Sequence, residues 1–141
     1  MSSATDTLSV MLKAHGYSIT KPRLAVFEQL LDQEPLSMHD LVQKLPKTDR
    51  ASVYRTVALF EELGIVIRIN IGWKYKLELS EAFTSHHHHM SCLNCKKIIP
   101  INESALEQVI GQLGVAHGFT ITAHQIELQG YCKACQLATK G

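Results

Sequence analysis

The sequence lacks the features that mark membrane-bound and secreted proteins. No apolar run approaches the ~20 residues that a membrane-spanning helix needs, so we expect no membrane partner. The segment from Met1 to Asp6 has no basic region followed by an apolar core, as a secretion signal would have. We therefore expect a cytoplasmic protein.

An excess of charge of one sign is also lacking. The chain has 14 Lys and Arg residues against 13 Asp and Glu residues, which gives a net charge of +1. Overall charge therefore offers no attraction to nucleic acid, and any binding to DNA must use a local basic face.

The features that are present indicate a folded protein. Its 141 residues are 45% hydrophobic and 19% charged, which is typical of one ordinary domain or two small ones. The chain has no internal repeat, and its only low-complexity stretch is a run of histidines. Local motifs therefore carry the evidence for function.

The four cysteines form two Cys-x-x-Cys pairs, Cys92–Cys95 and Cys132–Cys135. In a reducing cytosol such pairs are more typical of a zinc site than of disulfides. A thioredoxin-like redox motif would need a βαβ context, which the first pair lacks. Each pair directs both sulfurs at one ion, so two pairs complete a tetrahedron without an open position. The sequence therefore predicts a structural Zn²⁺ site, with disulfides and a redox motif as the alternatives.

A run of four histidines, His86–His89, directly precedes the first cysteine pair. It lies inside the chain between patterned segments, which argues against an engineered tag. Alternate residues of a strand point to the same side, so the run supplies one pair of imidazoles to each side. We predict two ligand sets: His87 and His89 with Glu78, and His86 and His88 with Glu107 and His124.

The chemistry of these two ligand sets suits several metals. Mixed shells of imidazole and carboxylate bind Fe²⁺, Mn²⁺ or Zn²⁺. The first set would bridge the two modules of the chain, and the second would lie within the C-terminal module. The alternative is a polar surface strand with incidental histidines.

Residues 1–80 have the pattern of a helical module. Four apolar stripes at helical spacing each follow a residue that can cap a helix. The fourth helix is predicted from Arg50 to Leu63, with Gly64 ending it. The predicted caps are Thr5 or Asp6, Thr20, Ser37 and Asp49.

A β-hairpin is predicted to follow the fourth helix. The β-branched run from Ile65 to Asn70 and the alternating segment from Trp73 to Leu79 indicate two strands. A turn at Ile71-Gly72 would join them. Helices followed by a hairpin are the layout of a winged helix, a variant of the helix-turn-helix.

Residues 81–141 predict a small α+β module after a linker near residues 80–85. Strand-like segments flank the first cysteine pair, the second of them being Ile98–Ile101. Asn102 can cap a helix that ends near His117, and Phe119–Gly130 alternates as one long strand. A zinc ion that joins its ends would help so small a module to fold. The inward face of its helix is predicted to hold Leu106, Val109, Ile110 and Leu113.

The fourth helix carries the residues best placed to read DNA. Its inward stripe leaves polar and aromatic side chains near the N-terminus, where a recognition helix meets base edges. Basic residues elsewhere suit backbone phosphates. The alternative is an ordinary solvated face. The candidates are Arg50, Ser52, Tyr54 and Arg55 on this helix, Lys74 and Lys76 on the hairpin, and Lys21 and Arg23 on the second helix.

With these motifs the chain resembles the ferric uptake regulator family. The motifs occur in family order over nearly the whole chain, at Thr20–Arg23, Ala51–Thr56, Gly64–Val66, His86–Cys95 and Gly130–Cys135. The resemblance implies an α+β protein, with a winged-helix DNA-binding domain and an α/β dimerisation domain that holds the zinc site. It also implies a homodimer that binds palindromic double-stranded DNA operators when loaded with metal, usually as a repressor.

The resemblance implies a role for each ligand set. By position, Cys92, Cys95, Cys132 and Cys135 match the structural zinc ligands. Glu78, His87 and His89 match the sensor site at the hinge. His86, His88, Glu107 and His124 match an additional site in the dimerisation domain.

Two positions depart from the family pattern. Pro35 stands where the sensor site usually takes a further histidine, which leaves Glu34, His39 or water to complete it. Ser18 stands where a lysine is often found before the Thr-x-Pro-Arg motif. Zinc sensors of the family often place a cysteine in the sensor site, and none remains here once the four are committed to zinc, so the resemblance favours iron over zinc as the regulatory metal.

Two rival functions are less compatible with the sequence. A peroxide sensor of the same fold is the first, but family members with that activity resemble each other in using aspartate where Glu78 stands. A metallohydrolase is the second, but the histidine cluster has no general base beside an open site. We expect neither enzymatic activity nor a small-molecule substrate.

Overall fold

In the computed structural model, which describes residues 3–139, the chain divides after Ser85. The first unit spans Met1–Ser85 and the second His86–Gly141. The division lies at the end of the linker expected near residues 80–85. The predicted modules 1–80 and 81–141 include four terminal residues outside the described part of the chain, namely Met1, Ser2, Lys140 and Gly141.

Hydrogen-bonded caps fix where the helices of the first unit begin. The side chains of Thr20, Ser37 and Asp49 each accept a bond from the backbone N–H of the third residue along, as predicted. Ser3, and not Thr5 or Asp6, caps the first helix, because Ser3 and Asp6 accept each other's backbone N–H in a capping box. The helices are α1 (Ala4–Ala14), α2 (Lys21–Leu30), α3 (Met38–Gln43) and α4 (Arg50–Glu62).

A two-stranded antiparallel hairpin follows α4. Strand β1 (Val66–Ile71) pairs with β2 (Lys74–Leu79) from Val66↔Leu79 to Ile71↔Lys74. The turn is therefore Gly72-Trp73, one residue later than predicted. Gly72 adopts a φ of +61°, as the first central residue of a type II′ turn does, and this conformation suits the twist of a hairpin.

Every element of the first unit contributes to one hydrophobic core. Leu36 also exchanges two backbone hydrogen bonds with Leu77, which ties the segment before α3 to the hairpin. The core places α4 and the hairpin in one rigid unit. Its fully buried side chains include Leu8, Phe27, Leu41, Phe60 and Leu77.

The second unit is a three-stranded sheet with two helices in its described part. Strand β3 is central, antiparallel to β4 and parallel to β5. The parallel pair requires a crossover, which α5 supplies. The elements are β3 (His88–Cys92), β4 (Ile98–Ile101), α5 (Ser104–His117), β5 (Glu127–Gly130) and α6 (Lys133–Thr139).

Two of the predicted element bounds in this unit were wrong, and one helix was not predicted. Strand β5 has only four residues of the predicted Phe119–Gly130, because only Glu127–Gly130 has β3 beside it. Glu103, and not Asn102, precedes α5 as its N-cap and makes no side-chain cap bond, because β4 still occupies Ile101. Helix α6 was not expected at all.

The apolar stripe of α5 is largely exposed within this chain. The exposed fractions of Val109 and Leu113 are 51% and 52%, so the prediction that both point inward was wrong. Periodicity identifies an apolar stripe but not what covers it. Met90, Ile99 and Leu128 are also more than two-fifths exposed, and the strand registers put them in one row across the sheet.

Within residues 3–139, no helix is long and apolar enough to cross a membrane.

Candidate metal centres and nucleic-acid interface

The four cysteines of the second unit converge at the end of the sheet. Their sulfur atoms all lie within 4.8 Å of one another, and Sγ of Cys95 lies 3.9 Å from Sγ of Cys132. Sulfurs around one tetrahedral zinc lie about 3.8 Å apart. All four are free thiols, so the geometry fits a Zn²⁺ ion and neither disulfides nor a two-cysteine redox motif.

Two different backbone structures bring these sulfurs together. Strand β3 ends at Cys92, and a turn follows in which Lys96 adopts a φ of +67° and donates its N–H to the Cys92 carbonyl. This turn returns Cys95 towards the strand. Cys132 follows β5, and the start of α6 brings Cys135 alongside it one helical turn later.

The surroundings of two of the thiols, Cys92 and Cys135, shift their pKa values in opposite directions. The backbone N–H groups of Cys132 and Cys95 donate to Cys92 Sγ, which lowers its pKa to about 6. Asn94 donates to Cys135 Sγ, but the adjacent Cys132, burial and the other two sulfurs outweigh this bond and raise the pKa of Cys135 to about 11. A cation bound by all four sulfurs would offset the repulsion between their thiolates, as in a structural zinc site.

A second cluster forms where the histidine run meets α5. Nε2 of His86 and Nε2 of His88 lie 2.9 and 2.7 Å from Oε1 of Glu107. Nε2 of His124 lies 2.7 Å from Oε2 of the same carboxylate and 3.1 Å from His86 Nε2. Ligands held about 2.1 Å from one cation lie about 3.0 to 3.4 Å apart, so the four ligand atoms, which all lie within 4.8 Å of one another, need only small shifts to surround one ion. This donor set of three imidazoles and one carboxylate therefore fits a divalent metal.

Hydrogen bonds set the protonation and orientation of the groups in this cluster. Partial burial opposes ionisation of Glu107, but hydrogen bonds from His88 and His86 and the charge of His124 keep its pKa below the usual range. The backbone N–H of Ile126 donates to Nδ1 of His88 at 3.2 Å. That bond leaves the ring proton on Nε2, so ligation through Nε2 requires the proton to move to Nδ1.

The residues of the predicted sensor set belong to different units. Glu78 lies on β2 of the first unit. His87 and His89 lie in the second unit, with ring centroids 4.7 Å apart, on the side of the run opposite to His86 and His88. The antiparallel bridge between Leu36 and Leu77 places Pro35 beside Glu78. Pro35 offers no ligand atom, and Glu34 and His39 are exposed.

The exposed N-terminal half of α4 carries the predicted DNA-reading residues. Tyr54 is 42% exposed, and the Arg50 guanidinium lies 5.4 Å from the centre of its ring. Ser52 is held by the cap, since its Oγ donates to Asp49 at 2.7 Å. Arg55 in turn donates to Ser52 Oγ at 3.1 Å. Ser52 therefore orients Arg55, which with Arg50 and Tyr54 forms the outward surface.

Next to this surface an open cleft of about 330 Å³ lies between α2 and α4. Arg23 lines it and donates to the Ser18 carbonyl at 2.8 Å, and Arg55 lines it from the other helix. Two guanidinium groups at one cleft suit a phosphate. Lys21 is exposed at the start of α2, Lys74 is exposed beside the hairpin turn, and Lys76 is half-buried on β2.

Sequence reasoning missed Asn94 and the residues that shape the cleft. Asn94 lies between two cysteines, and nothing in the sequence shows that it would donate to Cys135, which follows it by 41 residues. Tyr17 stacks under Arg23 at 5.3 Å. A search for charged residues and metal ligands alone overlooks Asn94 and Tyr17.

Comparisons with known proteins give one consistent result. The sequence model of the ferric uptake regulator family matches residues 14–129. The ferric uptake regulation protein of Shigella flexneri is 36% identical over 137 residues, which are 91% of this chain and 89% of that protein.

Solved structures agree with the sequence matches. The ferric uptake regulator of Vibrio cholerae is 30% identical, with a TM-score of 0.73 over 89% of this chain and 99% of that one. The regulator of Helicobacter pylori, described as having three functional metal binding sites, is 25% identical. Its TM-score is 0.78 over 94% of this chain and 91% of its own.

Proposed function

Because the chain belongs to the ferric uptake regulator family, we propose that it is a transcriptional repressor whose DNA binding depends on a divalent metal. It binds palindromic operators as a homodimer. One observation carries this proposal. Two sets of metal ligands are built around the run His86–His89, which comes next in sequence after a unit whose helix α4 exposes basic and aromatic side chains in its N-terminal half.

The cysteine cluster has a structural role in this proposal. Cys92, Cys95, Cys132 and Cys135 would hold Zn²⁺, which supplies a cross-link between the end of β3 and the start of α6. The cluster uses all four ligand positions of a tetrahedral ion and leaves none for exchange. It therefore maintains the second unit and does not report metal supply.

The regulatory signal is a cation exchanged at the histidines. We propose that Glu78, His87 and His89 share the sensor cation, and that His86, His88, Glu107 and His124 hold a further one. With Pro35 beside Glu78, a water completes the sensor shell. Imidazole and carboxylate donors suit Fe²⁺, Mn²⁺ or Zn²⁺, and because no cysteine is left for the sensor site we propose Fe²⁺ ahead of Zn²⁺.

DNA binding follows from limiting how the two units move. Ligands from both units, held by one cation, restrict their relative orientation. Each dimer then presents two α4 helices one DNA turn apart, about 34 Å. Arg50, Tyr54 and Arg55 contact base edges, and Lys21, Arg23, Lys74 and Lys76 contact phosphates. Without the cation, operator affinity falls with the population of the competent form.

A gel-shift titration tests the proposal. The protein first selects a short duplex from a random-sequence library in the presence of Mn²⁺. Binding to that duplex is then measured with Fe²⁺ under anaerobic conditions, Mn²⁺, Zn²⁺ or a chelator too weak to remove the cysteine-bound zinc. We expect tight binding with at least one metal and weak binding with chelator. Equal affinity in every condition would overturn metal sensing, and recovery of no duplex would overturn DNA binding.

A further inference from the structure

Trp73 is the one tryptophan of the chain, and its side chain is 94% exposed. It occupies the second position of the two-residue turn that joins β1 to β2. Large aromatic side chains normally bury most of their surface. The core of the first unit is complete without this ring, so its position is not explained by folding.

The hairpin that carries Trp73 is fixed against α4. Arg68 on β1 forms an ion pair with Glu61 on α4, with Nε 2.7 Å from Oε2. The same guanidinium lies 4.1 Å from the ring centre of Tyr75 on β2. One side chain therefore links α4 with both strands, and the tip of the hairpin has a defined place relative to α4.

The charge around this tip favours a polyanion. Lys74 follows Trp73 directly, and Lys76 lies on the same face of β2 two residues later. The only acidic residue between positions 66 and 79 is Glu78, at the end of the hairpin away from the turn. An exposed aromatic ring with neighbouring lysines suits the sugar–phosphate backbone of a nucleic acid.

We propose that Trp73 is a DNA contact of the hairpin tip. Its ring packs against deoxyribose at the edge of the minor groove, next to the major groove that α4 enters, and its indole N–H donates to a phosphate oxygen. In a duplex the base faces are stacked, so the ring meets sugar and not base. This inference rests on the proposed function and adds an apolar contact to the charged ones predicted there.

Because Trp73 is the sole tryptophan, its fluorescence reports directly on its surroundings. The metal-loaded full chain is titrated with the duplex selected from the random library. We expect a blue shift of the emission maximum and a severalfold loss of quenching by acrylamide when the duplex saturates the protein. If a gel shift shows full binding while emission and quenching stay those of a solvent-exposed indole, the inference is overturned and DNA binding stands. If no duplex is bound, the proposed function fails, and the inference with it.

Variants separate an apolar contact from a charged one. Trp73→Ala should weaken binding about tenfold without changing the slope of log affinity against log salt, because no charge is lost. Lys74→Ala should reduce that slope by about one. Trp73→Phe should recover part of the lost affinity. The exposure of Trp73 predicts an unchanged melting temperature for Trp73→Ala, and wild-type affinity in that variant would overturn the inference.

Discussion

At the scale of single residues, Asn94 bears on how tightly the cysteine cluster holds a metal. Its Nδ2 donates to Cys135 Sγ at 3.3 Å, and such bonds to ligand atoms orient and stabilise a metal shell. Loss of a ligand should therefore abolish metal binding, whereas loss of a residue that supports a ligand should only weaken it. Comparing zinc binding in the two kinds of variant therefore tests the cysteine cluster.

We predict that Cys95→Ser loses the zinc, because a hydroxyl does not replace a thiolate in this shell. Asn94→Ala should keep one zinc per chain but bind it about 10 to 100 times more weakly. Zinc content after purification and competition with a chromogenic chelator measure both effects. Full zinc retention in Cys95→Ser, at wild-type affinity, would contradict a four-cysteine site.

Glu107 offers a second test at this scale, because its carboxylate contacts three imidazoles. We predict that Glu107→Gln weakens Mn²⁺ binding at this cluster at least tenfold, since it removes the one negative charge that faces the cation. Glu103→Gln makes the same change at the start of the same helix, where the side chain makes no cap bond, and should have no effect.

Isothermal titration of the zinc-loaded protein with Mn²⁺ measures this difference. The zinc content should stay the same in both glutamine variants, which separates the histidine cluster from the cysteine cluster. Equal Mn²⁺ affinity in the two variants would show that Glu107 is not a ligand.

At the scale of helices and strands, local chemistry decided which predictions succeeded. Caps at Thr20, Ser37 and Asp49 are interactions between residues three apart, so the sequence contains them in full. The bounds of β5 depend instead on how far β3 extends beside it, and a strand cannot be bounded without its neighbour. The bond that Asn94 donates to Cys135 was missed for the same reason, because it joins residues far apart in the sequence.

The candidate sites divide in the same way. Spacing was sufficient to predict the cysteine cluster and the alternation of the histidine run. It could not predict that the Ser52 side chain would also bond to Asp49 in the cap of α4. That outcome depends on a 2.7 Å bond to Asp49, which competes with any bond to a base.

The cap of α4 leads to a prediction about pH. Hydrogen bonds from the Ser52 side chain and then from its backbone N–H hold the pKa of Asp49 below its ordinary value. A lowered folded-state pKa gives stability that is complete above the ordinary pKa and is lost as pH falls through the folded value. We therefore expect wild-type stability to fall below about pH 4 partly through this cap.

Asp49→Asn is the matched control, because asparagine caps helices as well as aspartate but does not titrate. Wild type should melt at a higher temperature than Asp49→Asn at neutral pH, and the difference should vanish in acid. Circular dichroism melts of both proteins over that pH range test this. A constant difference at all pH values would exclude the cap as a source of acid sensitivity.

At the scale of the whole molecule, the second unit has more apolar surface than its own chain covers. The exposed fractions of Val109 on α5 and Phe119 after it are 51% and 73%. Exposed apolar surface of this kind marks a protein interface, and the homodimer proposed above would cover it.

We predict that Val109→Glu is a monomer, because a charge would be buried in the interface without a partner. Val10→Glu, at a 68% exposed valine of α1 in the first unit, should remain a dimer. Sedimentation velocity distinguishes the two states. A dimeric Val109→Glu protein would place the interface elsewhere.

The parallel pairing of β3 with β5 has a consequence for how the protein is made. The backbone N–H of Ile126, which is synthesised 38 residues after His88, donates to His88, whereas every residue of the first unit's core precedes β3 in the chain. During that interval β3 can pair with β4 but not yet with β5, and its histidines and first cysteine pair already offer imidazole and thiolate to a cation. A Zn²⁺ ion that binds Cys92 and Cys95 at that stage would gain its other two ligands when Cys132 and Cys135 are made, just as a cation at His86 and His88 would gain Glu107 and His124. The order of synthesis therefore completes the four-cysteine site last, when nearly the whole of the second unit has been made.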